Sequence, residues 1–400
     1  MRAKRIFQEG KVFLASLLVA GTAIGAGMLG LPIATAEAGI LASWSMYALV
    51  WLFNVCTGIL FLEVAQWLPE NANIGSMAER FLGRWGKNSV WILYLFLFYT
   101  LTVAYIAGGG LFIRDVFGSG MSHWVSNSLF TLIFGGIVYG GTTLSGRVNF
   151  LLMIGLVASY FLFVGWGFEA VHAQHALWSG WESAIWGLPI LFTSFGFQST
   201  VPTLFTYLDR NVKRARSAII VGATLPFIAY IFWDLWIKSI VPVTGPHSLL
   251  SAKAAGQNAL SPLAQLLPNS PITLIGQFFA FFALVTSFIG VTLGLVDFLG
   301  DSLKLRQGKS KRFNLCMLAF VPPLLITFFK PDIFLKALGY AGGFGVAILL
   351  GILPIFLVWL GRYRDRCEPR RPLLGGGKVT LYVLLFFVFF ELCIELFQQV

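Results

Sequence analysis

The sequence predicts an all-α protein that crosses a membrane about eleven times, and three observations lead to this fold class. Of the 400 residues, 57% are hydrophobic and only 11% are charged, whereas soluble globular chains are about 45–50% apolar and about 25% charged. The apolar residues form eleven runs that are long enough for helical crossings, each of which needs about 20 residues. These runs lack the apolar–polar alternation of a membrane β-barrel.

The eleven runs follow one another without a soluble domain between them, so we expect a single membrane domain over residues 1–400. They lie at about 12–36, 41–66, 89–113, 126–143, 149–168, 184–208, 218–240, 272–299, 314–329, 335–360 and 379–397. The first run is too long for a signal peptide and is expected to be the first helix. The longest gap between runs, about 241–271, is expected to be a loop.

Lysine and arginine are distributed unevenly between alternate loops. With the N-terminus inside and eleven crossings, 23 of the 28 basic residues fall on the inner side. Cytoplasmic loops carry such an excess, which predicts a cytoplasmic N-terminus and a periplasmic C-terminus. The net charge of +11 is therefore attributed to loops beside anionic lipid, and not to nucleic-acid binding. The outer basic residues are Arg114, Lys238, Lys253, Lys330 and Lys336.

The positions of the histidines and cysteines argue against an enzyme. The four histidines, His123, His172, His175 and His247, all fall in predicted outer loops, and the four cysteines show no metal-ligand spacing. A membrane-embedded enzyme would need acids, bases or metal ligands together at one depth. We therefore expect neither an enzyme nor a cofactor or resident metal, and no feature of the sequence indicates an obligate protein partner.

Two of the runs are interrupted near the middle of the membrane. Residues 21–32 read GTAIGAGMLGLP, and residues 194–200 read SFGFQST before Pro202. Glycine and proline weaken helices, although small residues also serve close helix packing. Interruptions in the first and sixth runs are typical of a five-plus-five inverted repeat. The expected division is a first repeat over 12–168, a second over 184–360 and an additional helix over 379–397.

Half-helix ends at such breaks suit a zwitterion. Free backbone amides attract an anion, and free carbonyls attract a cation. An amino acid carries one group of each kind, so the two breaks predict a binding site for it at mid-membrane. Glycine, at Gly27 and Gly196 above all, is expected to permit the close approach of backbone and ligand.

Six segments carry a resemblance to a known family. They are GTAIGAGMLGLP (21–32), LTVAYIAGGG (101–110), FTSFGFQSTVPTL (192–204), AYIFW (229–233), TSFIGVTLGLVDFLGD (286–301) and ALGYAGG (337–343). In this order they resemble the tyrosine- and tryptophan-specific permeases of bacteria, within the hydroxy and aromatic amino acid permeases and the amino acid/polyamine/organocation superfamily. The resemblance implies a LeuT-type fold in the inner membrane and ion-coupled import of tyrosine or tryptophan. A serine or threonine permease of the same fold is the alternative.

The resemblance also implies where the substrate binds. Its carboxylate is expected at the amides around Gly25–Gly27, its ammonium group around Ser194–Phe197, and its ring among aromatic side chains. Gln198 is expected either to bind a substrate hydroxyl or to bridge the unwound backbone. The complete set implied for the substrate is Gly25, Ala26, Gly27, Tyr99, Tyr105, Ser194, Phe195, Gly196, Phe197, Gln198 and Phe288.

A coupling cation is implied as well, and its identity stays open between Na⁺ and H⁺. Residues 283–287 read ALVTS, which resembles the A-x-x-T-S element that completes a sodium site in LeuT-type transporters. The implied ligands are Gly21, Ile24, Ala283, Thr286 and Ser287. Members of the family are described as proton-driven, so the alternative is a proton on a carboxylate such as Asp234 or Glu63.

Other intramembrane charges and the long outer loop receive simpler roles. Asp234 and Lys238, four residues apart, are expected to pair with each other. Glu391 and Glu395 lie outside the ten-helix core, so no transport role is expected for them. In LeuT-type proteins the loop that corresponds to 241–271 closes over the outer vestibule, and the resemblance implies such a lid here.

Overall fold

The described part of the chain contains helices and no strand. A computed structural model describes residues 2–70, 72–117, 120–166, 180–268, 270–303, 309–368 and 372–399. The predicted loop residues His172, His175, Lys304, Arg306, Arg370 and Arg371 lie outside these ranges. Each of the eleven predicted runs corresponds to one helix or to a pair of helices.

The helices fall into two successive groups. The first comprises α1 (Arg2–Ala23), α2 (Gly27–Ala34), α3 (Gly39–Gln66), α4 (Ile74–Phe117), α5 (His123–Tyr139) and α6 (Thr142–Trp166). The second begins with α7 (Leu188–Phe195), α8 (Val201–Tyr207), α9 (Val212–Ile240), α10 (Leu249–Ala254) and α11 (Leu260–Leu266). It continues with α12 (Pro271–Ser302), α13 (Lys309–Phe329), α14 (Phe334–Arg364) and α15 (Gly377–Gln399).

Within the described ranges, eight helices are long and apolar enough to cross a membrane alone. A ninth crossing is the pair α1 and α2, whose axes differ by 58°. Eleven crossings would also require α5, which has 17 residues, and the interrupted pair α7 and α8. A multi-pass helical membrane protein is thus confirmed, whereas the count of eleven stays a prediction.

The loop that was expected to act as a lid folds into the short helices α10 and α11. The Ala259 amide donates to the Leu29 carbonyl of α2 at 3.1 Å. Gly256 has φ +63°, and a Cβ at this position would collide with the backbone of Asp332. The loop is therefore seated on α2 and on the turn before α14. Its movement during transport stays a prediction.

A buried polar cluster joins α9 to α2 and α3. Lys238 Nζ lies 3.0 Å from Asp234 Oδ1, which confirms the expected pairing. The same ammonium donates to Thr35 Oγ1 at 2.9 Å and to Ser43 Oγ at 2.6 Å, and the Tyr47 hydroxyl donates to Asp234 at 3.1 Å. All five residues are buried. The count of Lys238 among outer-loop charges was wrong, because Asp234, Thr35 and Ser43 bind the ammonium group inside the protein.

Arginine side chains join helices at the opposite end of the bundle. We call it the basic end, because four arginines lie there: Arg80, Arg210, Arg362 and Arg364. Arg362 donates two hydrogen bonds to the buried carboxylate of Glu63, at 2.6 and 2.7 Å. Such bidentate pairs fix both position and orientation. The pair fastens α14 to α3.

The buried cluster leads to a prediction about stability. In Lys238→Met the Asp234 carboxylate loses its counter-ion inside the protein, and breaking such a pair costs about 3–5 kcal/mol. The double variant Asp234→Leu/Lys238→Met should regain most of this loss, since apolar replacement of both partners is often neutral. The measurement is the free energy of unfolding in detergent.

Lys253→Met is the matched control. Lys253 pairs with Glu37 at 3.2 Å, but the two side chains are 37% and 39% exposed, and exposed pairs contribute about 0–1 kcal/mol. Equal losses in Lys238→Met and Lys253→Met would contradict a stabilising role of the buried cluster.

Candidate functional site

The first break lies between α1 and α2 and is held by two serines. The Ala26 amide donates to Ser287 Oγ of α12 at 3.0 Å. A Cβ at Gly25 would collide with the same oxygen, and a Cβ at Gly27 would lie 2.8 Å from Ser194 Oγ. The structure therefore brings the predicted residues Gly25, Ala26, Gly27, Ser194 and Ser287 together at one point.

The second break follows α7. Gly196 adopts an extended conformation, with φ −71° and ψ 114°, and a 3₁₀ turn over Gln198–Thr200 precedes α8. A Cβ at Gly196 would have its nearest neighbour at an ordinary distance of 3.4 Å. The backbone angles and the neighbouring protein atoms would permit alanine here, and the need for glycine in the approach to a ligand stays a prediction.

Gln198 bridges this unwound backbone to α3. Its side-chain carbonyl accepts from the Phe197 amide at 2.9 Å, and its Nε2 donates to Asn54 at 2.6 Å and to Thr57 at 2.9 Å. The side chain is fully buried. Of the two roles left open from the sequence, this geometry matches backbone bridging.

Tyr230 of α9 connects the two breaks. Its hydroxyl oxygen lies 2.7 Å from the carbonyl oxygen of Ala23 and 2.8 Å from that of Ser194. These carbonyls belong to the C-terminal turns of α1 and α7, where helical partners are missing and the partial charge is negative. A hydroxyl carries one proton, so the two carbonyls keep accepting capacity for a further donor such as an ammonium group.

Sequence reasoning missed the role of Tyr230. The residue lies inside the AYIFW segment at 229–233 that contributed to the family resemblance. A single tyrosine on an apolar helix gives no sign of the direction that it faces. Only the packing of α1 and α7 against α9 reveals that its hydroxyl meets both breaks.

Tyr105 adjoins the first break, because its hydroxyl interacts with the Ser287 hydroxyl. Tyr99 donates to the Leu318 carbonyl of α13 at 2.8 Å. Its contact with the substrate ring stays a prediction.

The three predicted phenylalanines pack into the surrounding helices. The Phe195 ring lies 5.0 Å from the ring of Tyr230 and 6.4 Å from that of Tyr47. The Phe197 ring packs against Gly58 of α3. The Phe288 ring lies between those of Phe130 and Phe320, at 5.2 and 5.8 Å. Phe288 thus packs against α5 and α13, and its contact with the substrate stays a prediction.

The two hydroxyls of the predicted cation element have different partners. The Thr286 hydroxyl donates within its own helix, to the carbonyls of Phe282 at 2.7 Å and Ala283 at 3.3 Å. Ser287 faces the first break, as described above. Of the two hydroxyls, Ser287 therefore contacts the break and Thr286 caps backbone carbonyls.

The other predicted cation ligands belong to the last turn of α1. The Ile24 amide donates to the Ala20 carbonyl at 2.8 Å, which extends the helical pattern beyond Ala23. Gly21 faces the terminal methyl group of Met153 on α6. Both residues thus lie beside the first break, on the side of the basic end.

A cavity of about 1150 Å³ opens at the basic end between α4, α8 and α12. It reaches Ser199, in the second break, and Gly294, whose missing side chain leaves room beside Phe98. Its wall is rich in aromatic residues that the sequence did not single out. These are Trp91, Tyr94, Phe98, Tyr207 and Phe298.

Two interrupted helices that meet at mid-membrane, with a cavity leading from them, define a transporter fold of the LeuT type. The structure is similar to that of MhsT in complex with L-phenylalanine, with a TM-score of 0.64, 14% identity and 96% of each chain covered. It is also similar to the manganese transporter of Eremococcus coleocola, with a TM-score of 0.64, 12% identity, and 96% of this chain and 85% of that chain covered. At these identities the likeness shows the fold alone.

The chain belongs to the tryptophan/tyrosine permease family, whose sequence profile matches residues 8–394. Tyrosine-specific transport system 1 of Haemophilus influenzae is 32% identical over 373 residues, which cover 92% of both chains. The tryptophan-specific transport protein of the same organism is 28% identical over 387 residues, covering 93% of this chain and 92% of the relative. The protein is therefore a bacterial multi-pass membrane transport protein and not an enzyme.

The two breaks lead to a prediction about glycine. In Gly25→Ala the new methyl group meets Ser287 Oγ, and such overpacking costs about 1–3 kcal/mol of unfolding free energy. In Gly196→Ala the conformation is permitted, so stability should be unchanged or raised by about 0.4–1 kcal/mol. Unfolding in detergent measures both.

The background Ser287→Ala provides the control for this prediction. It removes the obstructing oxygen, so the loss caused by Gly25→Ala should shrink there. Similar losses in Gly25→Ala and Gly196→Ala, or a Gly25 effect that ignores Ser287, would disprove the steric explanation.

Proposed function

We propose that the protein imports an aromatic amino acid, tyrosine or tryptophan, across the bacterial inner membrane together with a cation. The observation that carries the proposal is that Tyr230 holds the two breaks next to each other. The backbone amides of one break and the helix-terminal carbonyls of both therefore lie close together. The names of the relatives, tyrosine-specific and tryptophan-specific transport proteins, support an aromatic substrate. So does the L-phenylalanine bound to MhsT.

Within this proposal, each end of the zwitterion has its own partner. The carboxylate binds at the amides of Gly25 and Gly27, on either side of the Ala26 amide that donates to Ser287, where α2 begins and the helix dipole is positive. The ammonium group donates to the carbonyl of Ser194. This carbonyl and that of Ala23 both accept from the single hydroxyl proton of Tyr230. The ring extends from the second break towards Phe98, into the space that Gly294 leaves open.

Orientation and cation complete the proposal. A cytoplasmic N-terminus and a periplasmic C-terminus, with eleven crossings, place the basic end and its cavity in the cytoplasm. For the cation, Na⁺ at the 283–287 element and H⁺ on a buried carboxylate are the two alternatives. The Thr286 hydroxyl donates to carbonyls of its own helix, and its oxygen keeps lone pairs for a cation, so both alternatives remain in the proposal.

Uptake by proteoliposomes tests this function. Labelled tyrosine or tryptophan should accumulate above the outside concentration when a cation gradient is imposed, because only coupled transport accumulates a solute. A pH gradient at fixed sodium and a sodium gradient at fixed pH separate the two cations. Equilibration without accumulation under either gradient would refute symport.

Competition defines the substrate in the same assay. Excess unlabelled tyrosine, tryptophan and phenylalanine should reduce uptake, whereas serine should not. Strong inhibition by serine, with none by the aromatic amino acids, would instead identify a permease of the serine or threonine type.

Tyr230→Phe tests the bridge between the breaks. Removal of the hydroxyl leaves buried carbonyls without their donor, which costs about 1–3 kcal/mol, and the substrate site loses its alignment. Uptake at low substrate should fall roughly 5- to 150-fold, the equivalent of that energy.

Tyr160→Phe is the matched control, because the Tyr160 hydroxyl donates to the Ala229 carbonyl next to Tyr230 in sequence, at 2.9 Å. Removal of this hydroxyl costs a similar hydrogen bond but leaves both breaks intact. Equal losses of substrate affinity in the two variants would contradict a specific role for Tyr230.

A further inference from the structure

Glu391 of α15 is a buried carboxylate that has no counter-ion among the described residues. Its side chain is fully buried, and neither carboxylate oxygen has a hydrogen-bond partner among the described residues. An isolated carboxylate anion is very unfavourable in such surroundings. Intramembrane acids of this kind mark ion pathways and proton relays. The side chain is therefore accommodated as the neutral acid, with a proton bound.

Two of the other buried acids, Asp234 and Glu63, differ from Glu391 because each has a counter-ion. Asp234 has the ammonium group of Lys238 at 3.0 Å, and Glu63 has the guanidinium group of Arg362 at 2.6 Å. In both pairs a positive charge is in contact with the carboxylate. The two carboxylates that the sequence indicated as proton carriers are thus engaged in structural pairs, and Glu391 is not.

A cavity at the end opposite the basic end reaches Glu395, which lies one helical turn from Glu391. Glu395, one turn further along α15, lines a cavity of about 550 Å³ together with Lys253, Lys336 and Gln398. Residues four apart on a helix are neighbours on one face. A proton from the cavity can therefore reach a Glu395 oxygen first and Glu391 next.

The two glutamates adjoin the substrate site through α14. Part of this helix, Ala341–Ile352, is π-helical, a form that frequently occurs at functional sites. A Cβ at Gly343 would lie 2.5 Å from Glu395 Cγ, and a Cβ at Gly342 would collide with α7 at Thr193. Thr193 immediately precedes Ser194, whose carbonyl is bound by Tyr230.

We propose that Glu391 is the proton-binding site through which a proton gradient drives transport. This inference rests on the proposed function. A proton passes from water in the cavity to Glu395 and then to Glu391, and the receiving carboxylate becomes a neutral acid each time. When the proton leaves Glu391, the resulting anion requires water, so α15 must change its packing on α14. Because α14 lies directly on α7, this change reaches the second break.

The titratable groups around this site are few. Glu395 shares the helix, Lys253 of α10 and Lys336 and Tyr340 of α14 line the cavity, and Glu182 lies in the 3₁₀ turn at 181–187 that contacts α15. The described residues of α7 include no titratable side chain. Glu182 is exposed, which makes Glu182→Gln a matched control.

The test compares the full chain with Glu391→Gln, Glu395→Gln and Glu182→Gln in proteoliposomes. Glutamine mimics the neutral acid, so Glu391→Gln should retain exchange of labelled for unlabelled tyrosine. It should lose accumulation under a pH gradient, and also lose the tyrosine-dependent proton influx reported by a dye inside the vesicles. Glu395→Gln should slow proton influx, and Glu182→Gln should behave like the parent protein.

Two results would overturn the proposal. One is undiminished accumulation by Glu391→Gln under a pH gradient. The other is loss of exchange in parallel with accumulation, which indicates a structural role.

Infrared spectroscopy separates failure of this site from failure of the proposed function. The parent protein at neutral pH should show the carbonyl band of a protonated carboxylic acid, and Glu391→Gln should lose it, whatever the substrate is. Absence of that difference would refute the proton site. Absence of any aromatic amino acid transport by the parent protein would refute the proposed function instead.

Discussion

A break in a membrane helix exposes backbone groups where no water can satisfy them, and this constraint governs the centre of the molecule. Neighbouring helices supply the missing partners. The Tyr230 hydroxyl serves the carbonyls of Ala23 and Ser194, and the Ser287 hydroxyl serves the Ala26 amide. Because these partners come from α9 and α12, both helices must hold defined positions relative to the breaks. The substrate site and the packing of the bundle are therefore specified by the same hydrogen bonds.

Charge inside the bilayer obeys a related rule. Asp234 and Glu63 each have a basic partner on a helix, and each pair fixes the positions of the helices around it. The two pairs stabilise helix packing at opposite ends of the bundle. Glu391 has no such partner among the described residues, so its charge state and its surroundings must change together. A change in the protonation of such an acid therefore requires a change in the packing around it, whereas a buried ion pair stabilises one charge state and one packing arrangement.

The sequence specified the helices well because their apolar runs are long, and it located both breaks because glycine and proline interrupt those runs. Local motifs also indicated Ser194 and Ser287, which the structure brings to the first break. Directions of side chains were not predictable from the same information. Phe288 packs against Phe130, Tyr99 donates to Leu318, and Tyr230 lacks any local signal. The direction of a side chain depends on tertiary packing, which the positions of the apolar runs do not reveal.

The two halves of the first broken helix are fastened with unequal strength. α2 is held by buried hydrogen bonds from Lys238 and by the seated loop at Ala259. The far end of α1 has an ion pair between Lys11 and Asp209, whose side chains are 25% and 60% exposed, and exposed pairs contribute about 0–1 kcal/mol. Movement of α1 at the basic end would break an exposed ion pair, whereas movement of α2 would break buried hydrogen bonds, so a rearrangement that shifts α1 costs fewer buried polar contacts.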